Sequence, residues 1–471
     1  MKLKLLFPIL IAISLGLFPI KSSVYEASHC LQTSSACSNG ENSTTSYQHI
    51  LAVEPWRVDL WEKLAQTEME EENWDTAIIA YQKANDLDVL SSEGNSLMGF
   101  AFLNSGQEEM ALQHWLSIIK ADQASSSLYE KVYPMLLNNL EIETAEEVIA
   151  SWAAFEPDNA QVQLQYGLLK LLRSHDKAVD ILKTAGTLDQ DLNPTVLMIQ
   201  RAVSQAHLQD DPAYQQLIIG RELNKLGYML HAELLFVQAV QLNPSYAEAW
   251  AFLGEIQQQN GRDGLPALEK AFALDPDNFL ARSLLALYWQ RQQEPEKALE
   301  IFKQFVEEYP DQLIWQVELA KATAQNGDIP EGLEILFDAL NDAPDNDAFI
   351  HIELANFCAS YNIELTTIGL PNARKALLIE GDTLRSLNAM GNILFALNDL
   401  DSAERYYMHA LEQEPGDLNS LFQLGMIAYL RENADSARYY FQTVLSLSSP
   451  YSELYAAAQR MLESLGQNFI P

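Results

Sequence analysis

Residues Leu384–Pro415 read LRSLNAMGNILFALNDLDSAERYYMHALEQEP. The stretch divides into two helices. The first sets Leu387, Met390, Gly391 and Leu394 on one face, at steps of three and four; the second does so with Ala403, Tyr407 and Ala410. Between them, Leu397-Asn398-Asp399-Leu400-Asp401 is polar and carries side chains that cap helix starts. Pro415 closes the second helix, since proline has no N–H and clashes with the preceding turn. Gly391 and Ala403 are small where two helices must approach. Neither stripe is buried by its own hairpin, so the unit requires a neighbour of the same kind.

Neighbours are present. Pro276, Pro310 and Pro344 stand 34 residues apart, and Gly381 precedes Pro415 by the same interval. Trp250, Leu253 and Gly254 fit a first helix, and Ala232, Phe236, Ala239 and Pro244 a second. Ala298, Phe302, Phe305 and Pro310 repeat that second half. These positions resemble the tetratricopeptide repeat, whose W-x2-L-G-x2-Y, A-x3-F and P signature recurs every 34 residues or so. The resemblance runs from about Val53 to Pro450. It implies an all-α, right-handed α-solenoid of about eleven tetratricopeptide-type helix pairs with a C-terminal capping helix.

The expected organisation is a signal peptide or N-terminal anchor over 1–22 and a disordered Ser/Thr/Asn-rich linker over 23–50. A first array covers 51–190, a divergent connecting helix 191–212, a second array 213–450 and a capping helix 451–471. Three irregularities stand out. Pro134 interrupts a helix and predicts a kink. Pro194 to Pro244 is 50 residues, which fits neither one repeat nor two. Tyr361–Leu370 holds about three residues more than a regular turn.

The chain has 471 residues and a formal charge of −36, from 29 basic and 65 acidic side chains. Such a surface opposes nucleic acid, which is bound by neutralising phosphates, and anionic membranes. Acidity keeps a long solenoid soluble, and it also attracts a basic partner. At the N-terminus, Lys2 and Lys4 precede 16 apolar residues, Leu5 to Ile20, interrupted by Pro8 and Pro19. The run is shorter than the roughly 20 residues of a spanning helix and has the shape of an export signal. An exported protein is therefore expected, secreted, periplasmic or membrane-anchored, with that anchor its sole membrane contact. Cys30 and Cys37 would then either pair across a short loop or stay as free thiols. Asn42-Ser43-Thr44 matches a glycosylation acceptor.

Catalytic signatures are missing: no phosphate-cradling glycine loop, no G-x-S-x-G, no H-E-x-x-H and no C-x-x-C. Cys358 falls on an inward helical position and reads as a small buried hydrophobe. The expectation is no enzyme, no cofactor and no metal. The resemblance implies peptide binding on the concave side, through the second, fifth, ninth and twelfth places of each first helix. Here these places hold Arg221, Asn224, Glu255, Gln258, Gln290, Lys321, Asn356, Arg385, Asn388 and Asn392. From them, Arg221, Asn224, Lys321, Asn356, Arg385, Asn388 and Asn392 are the expected peptide-binding residues. Amides offer a donor and an acceptor to a peptide backbone, and the cations suit carboxylates. In the first array the same places are apolar: Phe100, Leu103, Leu137, Leu164, Leu168 and Leu171. The chain reads as a non-enzymatic interaction scaffold that binds a protein segment in its groove outside the cytoplasm. The alternative is a regulatory or assembly subunit of a cell-envelope machine for polysaccharide secretion or outer-membrane assembly.

Overall fold

A repeated small-to-large fit builds many of the hairpins. In the computed structural model, which describes residues 43–88, 90–448 and 452–468, the described residues form helices and turns with no strand. The chain falls into two compact units, 1–193 and 194–471. The first begins with α1 (Ser43–Leu51). Four hairpins follow: α2 (Val58–Glu70) with α3 (Trp74–Leu87), α4 (Ser92–Asn104) with α5 (Glu108–Lys120), α6 (Ser126–Asn138) with α7 (Ile142–Phe155), and α8 (Ala160–Lys170) with α9 (His175–Leu188). The second unit opens with α10 (Asn193–Ala206). Its hairpins are α11 (Pro212–Lys225) with α12 (Met229–Leu242), α13 (Ala247–Gln259) with α14 (Leu265–Leu274), α15 (Phe279–Arg291) with α16 (Pro295–Glu308), and α17 (Leu313–Gln325) with α18 (Ile329–Asp342). Then come α19 (Phe349–Tyr361) with α20 (Leu370–Glu380), α21 (Leu384–Ala396) with α22 (Leu400–Gln413), and α23 (Leu418–Leu430) with α24 (Ala434–Leu447). The last helix is α25 (Glu453–Asn468), whose Ala458 and Leu465 close the core beside α24. Eleven pairs and a capping helix make the all-α solenoid that the repeats imply.

In α21 and α22, Gly391 faces Tyr407. A Cβ on Gly391 would lie 2.6 Å from that ring, and one on Gly425 2.7 Å from Phe441. Trp115, Phe236, Phe302, Tyr407 and Phe441 each occupy the eighth place of a second helix and are fully buried. The core then passes to the next pair: Phe302 and Phe305 pack with Trp315 and Leu319 of α17. Phe305 and Trp315 stack with centroids 4.5 Å apart. Each pair thus completes its neighbour, as a one-dimensional stack requires.

Most of the hairpin turns take a left-handed residue after the first helix. Gly227 and Gly327 supply it at φ 83° and 102°, while Asn398 takes it at 62° and Leu140 at 59°.

Several expectations change. Linker residues 43–50 belong to α1, which buries Ile50 and Leu51 and donates a hydrogen bond from Thr44 to Glu71. Tertiary contact here overrides a weak local preference. The helix α6 runs on through Pro134, whose ring is exposed. The surplus residues near 361–370 become two left-handed positions, Asn362 and Glu364, and a π-helical turn, Leu365–Gly369. The leader, Cys30, Cys37 and Asn42 lie outside the described residues.

Candidate binding face of the second unit

Successive first helices pack on one another in the second unit, as α13 does on α15 and α19 on α21. That contact turns the first helices toward the inside of the stack. The residue following the small core position forms a row along these first helices, the inner row: Arg221, Glu255, Leu287, Lys321, Asn356, Asn392 and Met426 follow Gly220, Gly254, Ala286, Ala320, Ala355, Gly391 and Gly425. The row is polar through most of its length, and its members bond from one pair to the next.

Arg221 on α11 lies 3.7 Å from Glu248 of α13 and 5.1 Å from the centroid of Phe252. Arg291 on α15 meets Glu255 of α13 at 2.7 Å and Gln258 at 3.2 Å. Lys321 on α17 lies 3.2 Å from Glu318 and 3.1 Å from Glu353 of α19. Burial opposes the charge on Lys321, but the two carboxylates outweigh it and hold its pKa above the ordinary lysine value. Arg385 stands 5.6 Å from the Phe349 centroid. Asn392 donates from Nδ2 to Asn356 Oδ1 at 3.0 Å and accepts from the Tyr407 hydroxyl at 2.8 Å.

Asn388 behaves differently. Its Nδ2 donates to Asp417 at 3.0 Å and its Oδ1 accepts from Ser420 at 2.7 Å. Asp417 also caps α23 by accepting from the Ser420 N–H at 2.8 Å. Asn388 therefore stitches one pair to the cap of the next. Asn388→Ala strands the buried Ser420 hydroxyl and should cost about 1–3 kcal/mol of stability, the usual penalty for an orphaned buried group. Urea denaturation checks this; a loss near zero would show that the bonds are replaced by water.

Of the seven expected binding residues, Asn224 and Arg385 show no hydrogen bond or ion pair among the described residues, Arg385 meeting only the Phe349 ring, and Asn356 keeps its Nδ2 unused. The cations are already engaged. Sequence reasoning missed the partners Glu248, Arg291, Glu353, Tyr407, Asp417 and Ser420, because most stand in a neighbouring helix. A signal existed in the residue type one place after each small core residue. In the first unit, Leu137, Leu164, Leu168 and Leu171 are core, so they do not line a groove. Cys358 is fully buried, and burial pushes its thiol up to about 11.

A cavity of about 720 Å³ adjoins the row, lined by Glu255, Gln258, Arg262 and Arg291 and bounded by Ser452 and Glu453 at the start of α25. Behind it the buried carboxylate of Glu233 accepts from Asn260 at 2.6 Å and from Arg262. Among the described residues no cluster of His, Cys, Asp or Glu is placed to hold a metal, and no helix is long and apolar enough to cross a membrane.

Residues 255–312, 290–348 and 388–452 match a family profile described as tetratricopeptide repeat. The peroxisomal targeting signal receptor of Komagataella phaffii is 39% identical over 106 residues, 22% of this chain and 18% of that protein. The receptor of the same name from Candida albicans is 26% identical over 219 residues, 44% of this chain and 36% of that protein. The matches thus span well under half of those relatives' length. Among solved structures, yeast Tom70 is 14% identical with a TM-score of 0.44, covering 95% of each chain. A tetratricopeptide repeat protein from Parabacteroides merdae is 14% identical with a TM-score of 0.42, covering 54% of this chain and 98% of that one.

The relatives correct the expectation of an exported protein, whether secreted, periplasmic or membrane-anchored. The chain matches peroxisomal targeting signal receptors, proteins not named for export. Sixteen apolar residues behind two lysines have the shape of a leader, but without a small-residue A-x-A cleavage site that shape alone does not fix an address. The envelope-machine alternative was built on that address. The repeat signature, the eleven helix pairs among the described residues and the matching profile identify tetratricopeptide repeats in this chain.

Proposed function

We propose that the inner row of the second unit is where this chain, as an adaptor, receives an extended segment of a partner protein. Asn224 and Asn356 are the points of contact. Arg221, Lys321, Arg385, Asn388 and Asn392 frame them, the cations through their carboxylate and aromatic neighbours. The reading is carried by one observation: the row of polar side chains keeps hydrogen-bonding capacity at one amide, Asn356, and a second half-buried amide, Asn224, stands three places after Arg221 on the same helix. Half-buried amides recognise backbone well, because a segment that leaves them unpaired pays their desolvation. The relatives' name, targeting signal receptor, describes proteins that read a segment of another chain, which supports this class of ligand.

The test is selection of a displayed random dodecapeptide library on the purified chain. A peptide ending in Ser-Lys-Leu, the peroxisomal address, is a separate arm. Recovered peptides should bind in the micromolar range or tighter by fluorescence anisotropy. Asn224→Asp with Asn356→Asp should weaken them by well over tenfold, more than about 1.4 kcal/mol. Peptides indifferent to that double substitution, or none recovered, overturn the reading.

A further inference from the structure

The eighth place of the second helix carries a fully buried, purely apolar ring in three pairs of this unit, Phe236, Phe302 and Phe441. In α22 it is Tyr407. The ring still fills the space over Gly391, so the hydroxyl is the only chemical difference. That hydroxyl reaches past the core to the inner row and donates to Asn392 Oδ1.

We infer that Tyr407 is a positioning residue: through Asn392 it turns the amide of Asn356 so that the row presents a hydrogen-bond donor, and so selects a ligand that offers an acceptor at that place. This rests on the reading of the inner row as the ligand face. An amide can turn over and exchange its oxygen and nitrogen, so something must choose. Tyr407 chooses because it is fully buried, it has one hydrogen to give, and Asn392 is the acceptor it meets. Turning Asn392 over would set its N–H groups against the phenol and leave the phenolic hydrogen without an acceptor in the core, which is costly. With its oxygen held by Tyr407, Asn392 offers Nδ2 to Asn356, and Asn356 answers with Oδ1 at 3.0 Å. The Nδ2 of Asn356 is then left for an incoming group. A peptide carbonyl or a carboxylate fits it; an ammonium or an amide N–H does not.

The experiment separates this from the reading it rests on. The probe is a peptide recovered from the dodecapeptide library on wild-type protein. Asn356→Asp keeps the oxygen that Asn392 needs and replaces the free donor by an acceptor, so folding persists. It should weaken the probe at least tenfold, and by more than Asn356→Ala does. Tyr407→Phe keeps the ring and should weaken the probe about threefold, with the helical content unchanged. Without any ligand, the Asn392 side-chain amide in protein labelled with 15N-asparagine should exchange slowly in wild type and fast in Tyr407→Phe. Unchanged probe affinity in Asn356→Asp overturns the inferred polarity. Unchanged amide exchange in Tyr407→Phe overturns the positioning role. If wild type recovers no peptide, the ligand face fails, while the exchange experiment still decides whether Tyr407 sets the amide.

Discussion

Trp115→Ala should destabilise the first unit by about 3–5 kcal/mol, the range for removing a large aromatic from a packed core. The indole is fully buried, and its Nε1 donates to the Ser96 carbonyl at 3.1 Å. It packs so closely on α4 that a Cβ on Gly99 would lie 2.0 Å from it. Phe100 adds an edge contact with centroids 5.2 Å apart. Gly99, which faces the indole, has no side chain to fill the hole, and in a stack each pair supports only those beside it. Urea titration followed by circular dichroism should show an early loss of helix in the variant. A cost under about 1.5 kcal/mol, the scale of a tolerated core swap, would mean that the hairpin collapses onto the void.

Acid is the second lever. His231 on α12 is buried, and burial holds its pKa down at about 4. The unfolded chain keeps the ordinary value near 6.5. Between those limits the unfolded state takes up a proton that the folded state refuses. Stability is therefore complete above about pH 6.5 and falls as pH drops toward 4, by roughly 3 kcal/mol over the window. Burial lowers the pKa of His114 in the first unit too, in the same sense. Asp59 and Glu308, whose carboxyls are held below their usual range by Arg57 and Arg282, give up their contribution only at lower pH. Hydrogen exchange in α12 should accelerate between pH 6.5 and 4.5 in wild type and change little in His231→Gln. Equal pH slopes in the two proteins would dismiss the histidine as the cause.

Hairpins were readable from the sequence because their determinants are local and recur. Glycine or alanine opposes an aromatic ring, a polar turn separates the helices, and proline ends the unit. Those few residues suffice to place Gly391 against Tyr407 and Gly425 against Phe441. The inner row was only half readable. Arg221, Lys321 and Asn392 could be assigned to it, yet their partners lie in the adjacent pair, about one repeat away in sequence. No local pattern says that Lys321 is shared by Glu318 and Glu353, or that Asn388 serves the cap of α23. Tyr407 looked like core because its ring is core; the role of its hydroxyl depends on Asn392 from the facing helix. The linker was misread at its end for a related reason: Ser43–Leu51 has a helix only because α2 receives Ile50 and Leu51.

Asn356 and Asn392 hold each other by a single bond across two hairpins. Neither can drift alone without abandoning the other, so descent should alter them as a couple. Among natural variants of this chain, a replacement at one site should arrive with a compensating replacement at its mate, and independent substitution at the two would show that the bond carries no selective weight.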